Sequence, residues 1–455
     1  MTPIPKTSLP KTSLPKTSVP KTSVPTTPEP IRTNIPTALG KCLSLCVCLL
    51  LTLTQAWAET PANADVTASG SAIIAGYEYS HDSREFKAPR RYMVSLPEGY
   101  HGNARHYPVL YVVDADFQFQ HVSALALHLA RMGKIAPMIV VGIANQGQSD
   151  YLYTTTWKSD EGEAFGGADT FYRYLTKELV PTIDKQFRTN PHKALAGYSL
   201  GGLFTLYAMT QVNSPFDAYL AMSPSVWYDK MHYIELLKQR LQKAPIEAPL
   251  FLTLANEQEM GVDELVGSLK GYDEQKIHWQ FKQYPDENHF TTALPALNDG
   301  LLFLSPDYGL DGGDMLALGD YRAVLDYFAK RKANWAGFHI EWLQAYQFGK
   351  YLFWSKQLDK LDGILAAVKQ EFPDSLTIVT VQVAKGFNVK GDGARAKALL
   401  DSVAKEGEAS PYWHREMSLY YQSQGDEANA QRHQQKALAL AKQYCLNTWE
   451  LWELQ

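Results

Sequence analysis

The chain alternates two kinds of apolar pattern. Short unbroken runs recur at Tyr107-Pro-Val-Leu-Tyr-Val-Val-Asp114, Pro137 to Gly142, Ala194 to Ala196, Ala218 to Met222 and Leu250 to Leu254. Runs of this kind, without polar alternation, predict strands buried on both faces. Between them lie stretches with helical spacing: Val122 to Met132, Leu203 to Met209, Tyr233 to Leu241, Val262 to Leu269 and Thr291 to Phe303. Phe171 to Phe187 is the clearest, with Leu175, Leu179, Val180, Ile183 and Phe187 forming one apolar stripe. Ile277 to Tyr284 reads as a last strand. Ile73 to Tyr79 and Arg91 to Leu96 read as an early pair, turning around His81-Asp82-Ser83. Strands alternating with helices predict an α/β fold: a mostly parallel sheet covered by helices on both faces. On such sheets ligands bind at the C-terminal ends of the strands.

From about Pro306 the strand pattern stops and helical periodicity runs to the end. Gly391-Asp392 and Gly425-Asp426 stand 34 residues apart, with Ala396, Ala430 and Ala437 at packing positions, and Gly319-Asp320 opens a related unit. This period resembles tetratricopeptide repeats and predicts an all-α helical-repeat domain over 306–455. Such an array serves either as a groove for a protein partner or dimer, or as packing for the rest of the chain. The preceding α/β domain is expected over 59–305.

The N-terminus is of another character. Residues 4–26 repeat a Pro-Lys-Thr-Ser-Leu/Val unit, so 1–40 is expected to be a low-complexity segment without a core. Lys41, the apolar run Leu43 to Leu53 and Ala56-Trp57-Ala58 have the layout of a secretory signal peptide over 41–58, cleaved near Ala58. The run is short for a membrane span, so no stable membrane insertion is expected after cleavage. Three of the four cysteines (Cys42, Cys46, Cys48) fall in that segment, which leaves Cys445 alone and excludes an intramolecular disulfide in the processed chain. A periplasmic or secreted location follows. A net charge of −5 without a basic cluster argues against nucleic acid as a partner. No Cys/His cluster has metal-site spacing, and no metal or organic cofactor is expected.

The candidate chemistry centres on Gly197-Tyr198-Ser199-Leu200-Gly201, a G-x-S-x-G sequence between a predicted strand and a predicted helix. In that context it predicts a nucleophile elbow, with the Ser199 hydroxyl exposed at a helix N-terminus that favours negative charge. A serine nucleophile needs a base, and His289, after the last strand in Asp286-Glu-Asn-His289, is the best placed. The loop after Leu254 reads Asn256-Glu257-Gln258-Glu259, so Glu257 is expected as the acid, with Glu259 the alternative. Two backbone amides must hold the oxyanion: Leu200 supplies one, and the loop after Asp114 the other, Asp116 ahead of Ala115.

Together these residues resemble the putative-esterase family of α/β-hydrolases, which includes enterochelin esterases, esterase D and the mycobacterial mycolyltransferases. The resemblance rests on Tyr111-Val-Val-Asp-Ala-Asp-Phe-Gln-Phe119, on Leu179 through Gly202, on Met222-Ser-Pro-Ser-Val-Trp-Tyr228 and on Asp286 to His289. It implies Ser199 as nucleophile, His289 as base, and Trp227 and Tyr228 lining the substrate cleft. Two departures stand out. Ala115 replaces a common glycine, and the 145–155 loop lacks the arginines common in relatives, which weakens the case for an anionic chelate as substrate. The expected function is an exported serine esterase acting on a small-molecule ester, siderophore-type esters among the candidates, through an acyl-Ser199 intermediate. The alternatives are a carbohydrate (feruloyl or acetyl) esterase or acyltransferase on the same scaffold, or a non-catalytic binding module working through the helical repeats.

Overall fold

Eight strands form one sheet in the order β1-β2-β4-β3-β5-β6-β7-β8. The computed structural model describes residues 73–455. The 1–40 repeat, the 41–58 signal-peptide segment and its three cysteines lie outside the described residues. The strands are β1 (Tyr77–Ser83), β2 (Ala88–Ser95), β3 (Tyr107–Val113), β4 (Ile139–Ile143), β5 (Thr189–Tyr198), β6 (Ala218–Met222), β7 (Ile246–Ala255) and β8 (Ile277–Tyr284). β1 and β2 are antiparallel to their neighbours, and β4 through β8 run parallel. Residues Val109 to Val113 of β3 are wholly buried, each aliphatic side chain among them stabilising the fold by roughly 1.5–3 kcal/mol. Helices α1 (Ala115–Arg131), α2 (Gln148–Thr154), α3 (Ala168–Tyr174), α4 (Val180–Gln186), α5 (Leu200–Thr210), α6 (Tyr228–Lys243), α7 (Val262–Leu269) and α8 (Ala293–Leu304) cover the sheet, and a separate apolar cluster fills each face. This is the mostly parallel, helix-covered α/β sheet expected from the pattern, in the α/β-hydrolase arrangement that the resemblance implies.

Local details differ from the expectation. The early hairpin turns at Arg84 to Lys87 rather than at 81–83, because the Glu178 carboxylate accepts the Arg84 and Glu85 amides (3.0 and 3.2 Å) and fixes the turn from across the fold. The strand also starts later, at Tyr77, and Ile73 is fully exposed. The 171–187 stripe is helical but not uniform: a π-helical turn, Leu175–Leu179, joins α3 to α4. Pro181 lies at that junction and has no N–H to return to Lys177, so the hydrogen-bond register slips there. The stripe still faces inward, with Leu175, Leu179, Val180 and Ile183 buried.

Beyond Ser305 the described residues are helical, from Gly312–Leu318 to Thr448–Glu453, around their own apolar cluster. The Gly-Asp pairs have a shared physical role. Gly319, Gly391 and Gly425 take φ of 85°, 77° and 73°, which glycine reaches without steric cost, and end a helix. Asp320, Asp392 and Asp426 then cap the next one by accepting the amides of Arg322, Arg395 and Asn429. This region joins the sheet domain through Arg105–Glu341, through Glu98 with Arg131, Asn447 and Trp449, and through Trp335 Nε1 donating to Asp217 (2.7 Å). Among the described residues no helix is long and apolar enough to cross a membrane.

Candidate active site

The sheet order places β5 between β3 and β6, with β4 on the far side of β3, so successive crossovers diverge at β3 and β5. That switch opens a crevice at the C-terminal ends of the strands. Ser199 sits there, between the end of β5 and the start of α5, with φ 57° and ψ −122°. Such a backbone costs about 1–3 kcal/mol and persists only if its surroundings fix it. The Ser199 amide donates to Met222 O (3.0 Å), while its carbonyl accepts from Leu203 N (3.0 Å) and Ser225 N (3.1 Å). The glycines are required sterically. A Cβ on Gly197 would overlap the Gly201 carbonyl, and one on Gly202 would meet Pro224 Cα at 3.1 Å.

His289 arrives on the loop after β8. Its Nε2 lies 3.0 Å from Ser199 Oγ and its Nδ1 2.6 Å from Glu257 Oε2. The carboxylate can only accept, so Nδ1 carries the proton and Nε2 is free to accept from the serine. Glu257 follows β7, and its other oxygen accepts the Ala255 amide (3.3 Å). The Asn256 amide donates to Glu287 O (2.8 Å), tying the acid loop to the histidine loop. Glu259 is exposed, at φ 61°, and makes no side-chain hydrogen bond among the described residues. Tyr198, the residue before the serine, packs its ring on the imidazole (centroids 4.9 Å apart) and its hydroxyl donates to the His289 carbonyl. Burial, then the nearby Glu257 charge, pushes its phenol up to about 12, so it stays protonated and able to donate.

The expected oxyanion donors stand at two helix starts. Leu200 supplies the first amide of α5. The next amide, Gly201, is taken by the Tyr151 hydroxyl (3.0 Å), which in turn reaches Tyr198 O (3.3 Å). Across the crevice Asp114, in a left-handed conformation (φ 63°), turns β3 into α1. Backbone bonds inside α1 begin at Phe117 N and Gln118 N, both to Asp114 O, which leaves the Ala115 and Asp116 amides without helical partners. The Asp116 side chain is held back by Arg91 Nη2 (2.7 Å) and Asn145 N (2.8 Å). Burial raises the pKa of Asp114, opposed by its hydrogen bond from Asn145.

The rim is aromatic. Trp227 is 42% exposed. Tyr228 departs from the expectation that it lines the cleft: it is wholly buried, and its hydroxyl is spent on Ser159 (2.7 Å) and Trp157 O (2.6 Å), so it supports the rim from beneath. Phe117 and Phe290, 63% and 85% exposed, were not singled out in the sequence. Their signal was position, each directly following an expected site residue, Asp116 or His289. Two arginines on this side of the sheet are already paired: Arg90 with Asp150, and Arg91 with Glu78 and Asp116. Among the described residues no three or more His, Cys, Asp or Glu side chains cluster as metal ligands would.

Fold and crevice define a hydrolase of the α/β class. Residues 83–280 match the model of the family described as "Putative esterase". The chain is 27% identical over 236 residues to the ferri-bacillibactin esterase BesA of Bacillus subtilis, covering 44% of this chain and 80% of that one. An IroE-like serine hydrolase from Shewanella oneidensis superposes with a TM-score of 0.55 at 28% identity, over 65% of this chain and 99% of the other. An uncharacterised protein from Capnocytophaga ochracea reaches 0.53 over 80% of this chain and 93% of its own, at 13% identity, and so shares the fold. Over residues 83–280 the sheet domain is thus similar to the putative-esterase family, and the protein is a carboxylic ester hydrolase.

Proposed function

We propose that the protein is an exported serine esterase working through an acyl-Ser199 intermediate. One observation carries this reading: the unbroken line from Glu257 through His289 to Ser199 Oγ, with both hydrogen bonds at 3.0 Å or less. Ser199 Oγ attacks the ester carbonyl as its proton passes to His289 Nε2, and Glu257 stabilises the imidazolium. The Leu200 and Asp116 amides, on opposite sides of the crevice, receive the carbonyl oxygen as it becomes anionic. The imidazolium then protonates the departing alcohol, and water activated by His289 releases the acid.

For substrate we propose a siderophore-type ester. BesA is a ferri-bacillibactin esterase, and the exposed Trp227, Phe117 and Phe290 suit aromatic acyl groups. The paired state of Arg90 and Arg91 favours the less anionic members of that class. Incubation with a fluorophosphonate, followed by peptide mass spectrometry, should give one adduct on Ser199 and none in Ser199→Ala. A folded protein without that adduct refutes the mechanism. A panel of siderophore, feruloyl and acetyl esters, with and without an alcohol acceptor, separates siderophore esterase from carbohydrate esterase and from acyltransferase. Export rests on the 41–58 segment, and N-terminal sequencing of the mature chain should find a start near Glu59.

A second role for the helical region draws support from a cleft of about 720 Å³ lined by Arg105, Glu341, Trp342, Tyr412, Trp449 and Glu450. It lies at the N-terminal ends of the strands, away from Ser199. In this reading the tetratricopeptide-like helices hold a protein partner or a second copy there. Trp449→Ala should then lower the mass measured by light scattering in extract-matched buffer, with esterase activity unchanged.

A further inference from the structure

Ser225 is a second hydroxyl at the nucleophile. Its Oγ lies 3.3 Å from Ser199 Oγ, and Ser199 Oγ is its sole hydrogen-bond partner among the described residues. The residue is 2% exposed, so it is shielded from bulk solvent. The backbone around it is fixed: its amide donates to Ser199 O (3.1 Å) and its carbonyl accepts from Tyr228 N (3.2 Å). A buried hydroxyl aimed at one atom, from a loop bonded to that atom's own residue, is held for that contact.

The direction of the hydrogen bond follows from proton counting. Ser199 has one hydroxyl proton. His289 Nε2, unprotonated because Nδ1–H faces Glu257, takes it. Ser199 Oγ is then the acceptor towards Ser225, and Ser225 must donate. The geometry points to Ser225 as a catalytic residue that stabilises Ser199 Oγ whenever that oxygen bears excess charge, above all as a leaving group. This rests on the acyl-Ser199 reading given above.

The two half-reactions use that hydrogen bond differently. During acylation a lone pair of Ser199 Oγ forms the bond to the acyl carbon, its proton moves to His289, and the alcohol departs carrying that proton. Donation from Ser225 tempers the attacking lone pair, so it gives little help here. During deacylation water adds to the acyl carbon and gives a proton to His289. The C–Oγ bond then breaks, the electron pair returns to Ser199 Oγ, and His289 returns the proton to it. A donor fixed on that oxygen lowers the barrier to bond cleavage, and a hydrogen bond to a charged oxygen is worth about tenfold or more in rate.

Stopped-flow hydrolysis of p-nitrophenyl butyrate by the full chain tests this, with nitrophenolate release reporting acylation and the steady state reporting deacylation. Ser225→Ala should slow deacylation about tenfold and leave acylation within about threefold, so that a burst of one equivalent appears. Mass spectrometry should find acyl-Ser199 accumulating. Ser225→Cys, close in size and a weaker donor, should fall between, and it reads the same ratio if the alanine chain does not fold. Equal slowing of both half-reactions, or no change in either, overturns the role of Ser225. Failure of the wild-type chain to form any adduct on Ser199 overturns the serine mechanism instead, so the two failures are distinguishable.

Discussion

Glu257→Gln tests the site most directly, because it keeps the shape of the acid and removes its charge. In the wild-type chain the carboxylate faces Nδ1 at 2.6 Å, with its side chain 11% exposed and that of His289 27% exposed. Two unit charges about 4 Å apart in surroundings of effective dielectric near 20 attract by ~4 kcal/mol. This stabilises the imidazolium of the transition state and is absent from the neutral ground state. Losing it alone lowers kcat by about 10³. The amide does further harm if its NH₂ faces Nδ1, since the ring must then place its proton on Nε2, where it cannot accept from Ser199. A total loss of about 10³–10⁴ in kcat is expected, with KM within about threefold. Glu259→Gln, on the exposed neighbour, should stay within about twofold. Initial rates on nitrophenyl esters, with thermal unfolding as a check on folding, decide it. If Glu257→Gln keeps kcat within threefold of the parent, or if Glu259→Gln matches its loss, the acid assignment fails.

Other predictions follow from single contacts. Gly197→Ala drives a methyl into the Gly201 carbonyl, and urea unfolding should show a loss of about 3 kcal/mol or more, or no folded chain at all. Tyr198→Phe keeps the ring on His289 but frees the base's carbonyl, so kcat should fall about fivefold with KM steady; an unchanged kcat would show that the loop holds the base without it. Arg105→Ala leaves Glu341 unpaired in a half-buried place, which should cost about 1–3 kcal/mol of stability with kcat unchanged at temperatures well below unfolding. His433, buried against His414 (Nδ1 to Nδ1, 2.9 Å), is held down at about 4 by burial and then by its neighbour, against an ordinary 6.5. The unfolded chain therefore binds a proton that the folded chain refuses between those values. Stability should be full above pH 6.5 and fall by on the order of 2–3 kcal/mol towards pH 4, and His433→Gln should flatten that slope in urea titrations.

What could be read in the sequence was what is local. The elbow is legible because its constraint acts within six residues: Gly197, Ser199, Gly201 and Gly202 all answer to one strand-to-helix turn. The central strands are legible because burial on both faces removes the polar alternation that blurs others. The hairpin turn was displaced because its anchor, Glu178, is more than 90 residues from it. Helix α2 was missed because Gln148 to Thr154 is short and polar, with no apolar stripe to mark it. Glu257 and Glu259 are equivalent on paper, two acids in one loop. They separate only once the end of β7 and the loop after β8 are brought side by side. Ser225 had no signal of its own, since its contact with Ser199 exists only because β5 and β6 pair in the register that sets Tyr198 against Met222.

The sheet also sorts the molecule's two halves by edge. Each functional group discussed for the crevice hangs from a C-terminal strand end: Asp116 after β3, Ser199 after β5, Ser225 after β6, Glu257 after β7 and His289 after β8. The contacts to the helical region sit at the opposite edge. Glu98 and Arg105 precede β3, and Asp217, which accepts from Trp335, precedes β6. Strands β3 and β6 thus carry a helical-region contact at one end and a crevice group at the other, with wholly buried residues between. A close-packed interior is stiff, so a buried strand moves only together with its sheet. Substitutions where the helical region meets the sheet should therefore move unfolding temperatures and spare kcat. A ligand or partner in the 720 Å³ cleft could alter turnover only by shifting the sheet as a body.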